Sequence, residues 1–221
     1  MEKYLHVKSC DSTQDLVKEQ LTLHPTENII VSCDHQMNGH GRGQKKWMDS
    51  DGTLCFSLSL QAFKIPSFTA MELAVIVCQF FQQKNKKILL KWPNDLINLN
   101  GKKCGGILLQ SFAHQYIAGI GLNLFFNEKE FGGVFDEPFS FSKKDWAQEL
   151  GQFIRDNRFQ DSRELTSEWM HLCSHYNQQV QIMENEILFE GKFIGLGPYG
   201  EAQLQTESEV KSIFNGTLRL V

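Results

Sequence analysis

Two rhythms of apolar residues divide the chain. Alternation with a period of two marks a strand over 53–60, where Leu54, Phe56, Leu58 and Leu60 fall on one face. Residues 4–9 and the run Ile29–Cys33 read as shorter strands, with Asp11, Ser12 and Thr13 as capping residues for a helix reaching about Leu21 between them. The helical period is clearest in "SFTAMELAVIVCQFFQQKNKK" (67–87). There Leu73, Ile76, Val77, Phe80 and Phe81 share a face, and Thr69 with Glu72 fits a capping box. A strand over 88–92 ends at Pro93, which cannot donate to a ladder. "GGILLQSF" and "QYIAGIGLNLFF" read as two strands joined by a tight turn at Ala113 and His114. Helices are expected over 142–158 and 163–175, and from Asn177 short strands alternate with turns.

Strands and helices mix without a regular βαβ repeat, so the expected class is α+β with a mixed, largely antiparallel sheet. The expected division is a main domain over 1–175 and a small C-terminal β-barrel over 176–221. A segment of about 45 residues buries too little to be comfortable alone and should dock on the main domain.

Composition narrows the possibilities. The 221 residues are 41% hydrophobic, enough for a core, and carry a net charge of −4, which argues against a nucleic-acid partner. With no signal-like start and no long apolar run, a soluble, cytoplasmic protein without a membrane partner is expected. Six cysteines show no CxxC spacing and read as free thiols.

Two stretches stand out chemically. In "HQMNGHGRGQKKW" (35–47), Gly39, Gly41 and Gly43 alternate with His40 and Arg42, and Lys45, Lys46 and Trp47 follow. Such glycines let backbone N–H groups approach an anion, but the spacing fits neither a Walker loop nor a dinucleotide fingerprint. Taken alone it is equally a flexible surface loop. In "KWPNDLINLNGKKCGGILL" (91–109), Lys91, Asn94 and Asp95 bracket a strand end, and Lys102 and Lys103 precede Gly105 and Gly106. An ordinary basic hairpin would look similar. His171 and His175, spaced i and i+4 on the last predicted helix, lack a third ligand, so no metal site is assigned.

Together with "IAGIGLNL" (117–124) and "DSTQ" (11–14), these stretches resemble the biotin protein ligases, with order and spacing agreeing from about residue 4 to the end. The resemblance implies a class II aminoacyl-tRNA synthetase-like catalytic fold with an SH3-like C-terminal barrel. It resembles the short form that lacks an N-terminal DNA-binding domain. The implied reaction joins biotin to ATP as biotinyl-AMP, with Mg2+, and then passes biotin to a lysine of a biotin carboxyl carrier protein, such as the acetyl-CoA carboxylase carrier domain.

The resemblance further implies that Arg42 lies against the carboxylate and α-phosphate, that Lys103 stabilises the same reacting centre, and that Asp95 orients the carrier amine. Biotin contacts are implied for Ser12, Thr13, Gln14, Gln36, Gly39, His40, Gly41, Arg42, Lys103, Gly106 and Gly119. Adenylate contacts are implied for Arg42, Trp47, Asn94, Lys103 and Asn123. Ser12 and Thr13 could equally serve only as caps, and Trp47 only as a core residue. The sequence departs from the family's pattern at Gln14 (usually asparagine), His40 (often arginine or lysine) and Gln44 (often glycine). A lipoate ligase and a non-catalytic binder of biotin or adenylate stay open as alternatives.

Overall fold

The computed structural model describes residues 2–126 and 131–221. Strand β1 (Glu2–Cys10) leads into helix α1 (Thr13–Leu23) and β2 (Asn28–Gln36). A two-residue ladder of β3 (Gly39–His40) and β4 (Lys46–Trp47) follows, with a 3-10 turn at Arg42–Gln44 between them. Next come β5 (Thr53–Leu60), α2 (Thr69–Gln83), β6 (Leu89–Lys91), β7 (Asp95–Ile97), β8 (Lys103–Phe112) and β9 (Gln115–Asn123). Helices α3 (Lys143–Asp156) and α4 (Ser162–Leu172) precede β10 (Gln179–Glu184), β11 (Ile187–Leu196), β12 (Ala202–Gln205), β13 (Val210–Ile213) and β14 (Thr217–Leu220).

Among the described residues the main sheet runs β1-β2-β5-β9-β8-β7-β6, and only its β1–β2 pair is parallel. The fold is therefore α+β with a mixed, largely antiparallel sheet. The C-terminal strands form a separate antiparallel sheet, β13-β12-β11-β10-β14.

Strand β5 shows how the sequence divides the layers. Leu54, Phe56 and Leu58 point into the large core shared with α2 and α3. Thr53, Ser57 and Ser59 on the other face are equally buried, because α1 covers that side through Val17 and Leu21. Small polar side chains there leave room between α1 and the sheet. Ser57 Oγ meets Thr13 Oγ1 at 2.7 Å, and Ser59 Oγ accepts the Ile29 N–H at 2.9 Å.

Three local expectations are corrected. Thr69 and Glu72 form no capping box: Thr69 Oγ1 accepts the Phe63 N–H, and the buried Glu72 carboxylate takes a two-pronged bond from Arg158 at 2.8 and 2.7 Å. A distant guanidinium satisfies that carboxylate better than one backbone N–H would. Ser12 holds the N-cap position of α1 without a side-chain capping bond, and the Thr13 N–H instead goes to Gln36 Oε1 at 2.9 Å. Finally, α4 stops at Leu172, so His171 and His175 share no helix face; His171 is exposed and His175 fully buried.

His175 sits where the last helix meets the C-terminal sheet, its ring 4.4 Å from Phe193 and 6.1 Å from Trp169. Burial pushes its pKa down to about 3, helped by the positive charge of Lys91. The unfolded chain binds this proton near pH 6.5 and the folded chain does not. Stability from this group is thus present above pH 6.5 and falls by about 1.4 kcal/mol per pH unit below it, until about pH 3. Urea melts at pH 7.5 and 5.5 should show a larger loss in the wild type than in His175→Phe, by about 1 kcal/mol. Equal losses would show that His175 is protonated in the folded state.

Candidate active site

A cavity of about 940 Å³ opens on the α1 side of the sheet, between the main sheet and the edge of the C-terminal one. Its floor is made by neighbouring strands that carry almost no side chain there. The register pairs Ser57 with Gly119 and Cys55 with Gly121 across β5–β9, and Gly106 with Gly121 across β8–β9. Each glycine leaves a gap that something else fills. A Cβ on Gly119 would stand 2.7 Å from Gln14 Cδ, and one on Gly121 would stand 2.5 Å from the Trp47 ring. At Gly106 a Cβ would meet Lys103 Nζ at 3.5 Å, ordinary contact, so the lysine side chain lies over that glycine.

One wall is polar and buried. Ser12, Thr13 and Gln14 are each under 5% exposed, at the start of α1. Thr13 Oγ1 donates to Gln36 Oε1 at 3.2 Å, and Gln14 Nε2 donates to the Leu108 carbonyl at 3.2 Å. Gln14 thus lies flat over β8 and β9, a position its extra methylene permits.

Residues 37–48 form a flap over this floor. Gly41 N–H closes the turn on the Lys45 carbonyl at 2.6 Å, and Gly43 takes φ = +66°, a left-handed conformation natural for glycine. Trp47, opposite Gly39 in the two-stranded ladder, lays its ring on the bare backbone of Gly121. His40 Nε2 lies 3.6 Å from Asp15 Oδ2 on α1. Arg42 donates to the Gly216 carbonyl of the C-terminal sheet, which bridges the flap to the far side of the cavity.

The mouth is cationic. Arg42, Lys45, Lys46, Lys91, Lys103 and Arg219 line it against two carboxylates, Asp95 and Glu184. The turn from β6 to β7 contains a cis Trp92–Pro93 bond; Lys91 pairs with Asp95 across it, and Asp95 pairs with Gly106 of β8. Lys103 Nζ meets Asp95 Oδ1 at 2.5 Å. Burial lowers the pKa of Arg42, with Asp95 opposing the shift. Burial also lowers that of Lys91; Asp95 opposes this, and the charges of Lys103, Arg219 and Lys45 add to it. In a chain with net charge −4, this gathers positive charge where an anionic ligand would neutralise it.

The cavity lining includes Ser12, Thr13, Gln14, Gln36, His40, Gly41, Arg42, Trp47, Asn94, Asp95, Lys103, Gly106, Gly119 and Asn123. Gly39 stands behind it at the root of the flap, packed against Gln36 and Trp47. Asn94 is partly committed, since Nδ2 donates to the Ile107 carbonyl at 2.5 Å. Sequence reasoning missed Gly121, whose role shows only once Trp47 is seen above it. It also missed Met183, Asn185, Asn215 and Arg219, which line the cavity from the C-terminal sheet. The charge of Arg219 was the one visible signal. Among the described residues, no group of three or more His, Cys, Asp or Glu side chains could hold a metal ion, and no helix is long and apolar enough to cross a membrane.

Known proteins share this fold. Over 99% of each chain, the structure superposes on a biotin protein ligase from Aquifex aeolicus in complex with biotin and ATP, with a TM-score of 0.83 and 22% identity. A biotin acetyl coenzyme A carboxylase synthetase from Helicobacter pylori with bound biotinylated ATP gives 0.72 at 23% identity, covering 95% of this chain and 99% of that one. In sequence, the Bifunctional ligase/repressor BirA of Bacillus subtilis is 25% identical over 242 residues, covering 95% of this chain and 71% of that protein. The profile of the Biotin/lipoate A/B protein ligase family matches residues 6–127, which hold the flap, the glycine floor and the Asp95–Lys103 pair. That match spans more than half of the chain, which therefore belongs to the biotin/lipoate A/B protein ligase family.

Proposed function

We propose that the protein activates biotin with ATP and transfers it to a lysine of a biotin carboxyl carrier protein in the cytoplasm. The observation that carries this reading is one cavity with a polar wall of buried Ser12, Thr13 and Gln14 beside half-buried Gln36, and a cationic mouth at Arg42, Lys91 and Lys103. The ureido ring of biotin needs both donors and acceptors, which that wall offers. The dithiolane of lipoate brings no comparable donor or acceptor to meet that wall.

In the first step a biotin carboxylate oxygen attacks the α-phosphorus of ATP, the new P–O bond forms and pyrophosphate leaves. Both reactants are anionic. Arg42 and Lys103 supply fixed positive charge at the reacting centre, and Mg2+ enters with the nucleotide as its phosphate counterion. Asn123, Asn94 and Trp47, which line the same cavity, take the nucleotide contacts in this reading. The flap excludes water, which would hydrolyse the mixed anhydride. In the second step the carrier amine attacks the acyl carbon, an amide forms and AMP leaves. A lysine amine is almost wholly protonated at pH 7, so a proton acceptor is needed, and Asp95 takes that role.

Mass spectrometry of a carrier domain incubated with the protein, ATP, Mg2+ and either biotin or lipoate tests the assignment. A gain of one biotin mass is expected in the biotin arm. A gain only with lipoate, or none with either acid, would overturn it.

A further inference from the structure

Lys143 opens helix α3 with its ammonium buried, the side chain being 9% exposed. A cation in the first turn of a helix faces the positive end of the helix dipole, so nothing local favours lysine here. Its partners lie elsewhere. Nζ donates to the backbone carbonyls of Asp34, at 2.5 Å, and Ser50, at 3.0 Å, and lies 3.9 Å from Asp49 Oδ1. These acceptors come from the two ends of one loop. Asp34 lies in β2 just ahead of Gln36, and Asp49 and Ser50 follow Trp47 and Met48. Between them runs the flap. The other oxygen of Asp49 meets His35 Nδ1 at 3.3 Å, tying the same two stems a second time.

We propose that Lys143 is a positioning residue that clamps both stems of the flap, holding Gln36, Arg42 and Trp47 over the cavity and so retaining the acyl-adenylate. This deepens the ligase reading and rests on it for its functional half. Lys143 itself does not line the cavity, so its effect on the reaction is carried through the flap. Removing the ammonium takes a donor from the Asp34 carbonyl in one stem and leaves the Ser50 carbonyl with the Thr53 N–H alone and the Asp49 carboxylate with His35 in the other, so the direct link between the stems through Lys143 is lost.

Limited trypsin digestion of the ligand-free protein tests the clamp, since Arg42, Lys45 and Lys46 are cleavage sites within the flap. In Lys143→Met, cleavage at these sites should be about tenfold faster than in wild type, with other sites unchanged, because only the stems open. Lys143→Arg should restore part of the protection. In the presence of biotin, ATP and Mg2+, Lys143→Met should release adenylate about tenfold faster and raise the KM for biotin more than it lowers kcat. Asp49→Asn supplies a second variant should Lys143→Met not fold, with an expected acceleration of flap cleavage of about threefold.

Flap cleavage within a factor of about two of wild type in every folded variant, or acceleration at all tryptic sites alike, would overturn the clamp. Unchanged adenylate release despite faster flap cleavage would overturn its role in retention. A wild type that forms no adenylate would overturn the ligase reading instead, and the digestion result would still judge the clamp.

Discussion

Lys103→Met should lower biotin-dependent exchange of pyrophosphate into ATP by about 10³-fold while leaving the melting temperature nearly unchanged. Two unit charges about 4 Å apart interact by about 4 kcal/mol at an effective dielectric near 20, which is about three powers of ten in rate. Lys103 is the cation whose Nζ lies over Gly106 on the cavity floor, within reach of a ligand there. Methionine keeps the length and packing of the stem and removes only the charge. Its Asp95 partner keeps water access and the nearby charge of Lys91, so the fold loses little. Exchange that stays within about tenfold of wild type would mean that Arg42 and Lys91 carry the transition-state charge without it.

Asp95→Asn should slow carrier labelling from preformed adenylate by about 10²-fold, and the adenylation step by about tenfold at most. Asparagine keeps the size and loses the basic oxygen that would accept the proton of the incoming amine. The structure explains why adenylation is touched at all: Asp95 Oδ1 is bonded to Lys103 Nζ at 2.5 Å, so the two candidate catalytic groups hold each other in place. Single-turnover transfer measured beside pyrophosphate exchange separates the two steps. Equal losses in both would move Asp95 out of the acid–base role and into that of a support for Lys103.

The sequence made some of this legible and hid the rest for physical reasons. Strand β5 and helix α2 follow from period alone, because each is long enough to repeat its pattern several times. The turn at Ala113 and His114 lies where two such strands had to meet. Strand β7 is three residues long, too short for any period to register, yet it carries Asp95. The Thr69–Glu72 spacing fits a capping box, but that pattern holds no information about Arg158, which lies 86 residues away and captures the carboxylate. In the site, residues within the glycine-rich and Trp-Pro-Asn-Asp stretches could be nominated from local chemistry. Arg219, Asn215 and the Gly216 carbonyl that receives Arg42 could not, since only folding brings the last strand to the first loop. Lys143 was equally hidden, because a lysine at a helix start looks like a solvated residue.

Strand β5 has no side that faces water, and the cost of an error in it follows from that. Shifting its pairing by one residue would turn Phe56 and Leu58 toward α1 and the candidate cavity and drive Ser57 and Ser59 among the phenylalanines. One eight-residue strand thus serves the core on one face and the α1 side, with Cys55 and Ser57 on the candidate cavity, on the other. An inserted or deleted residue there would disturb both faces at once.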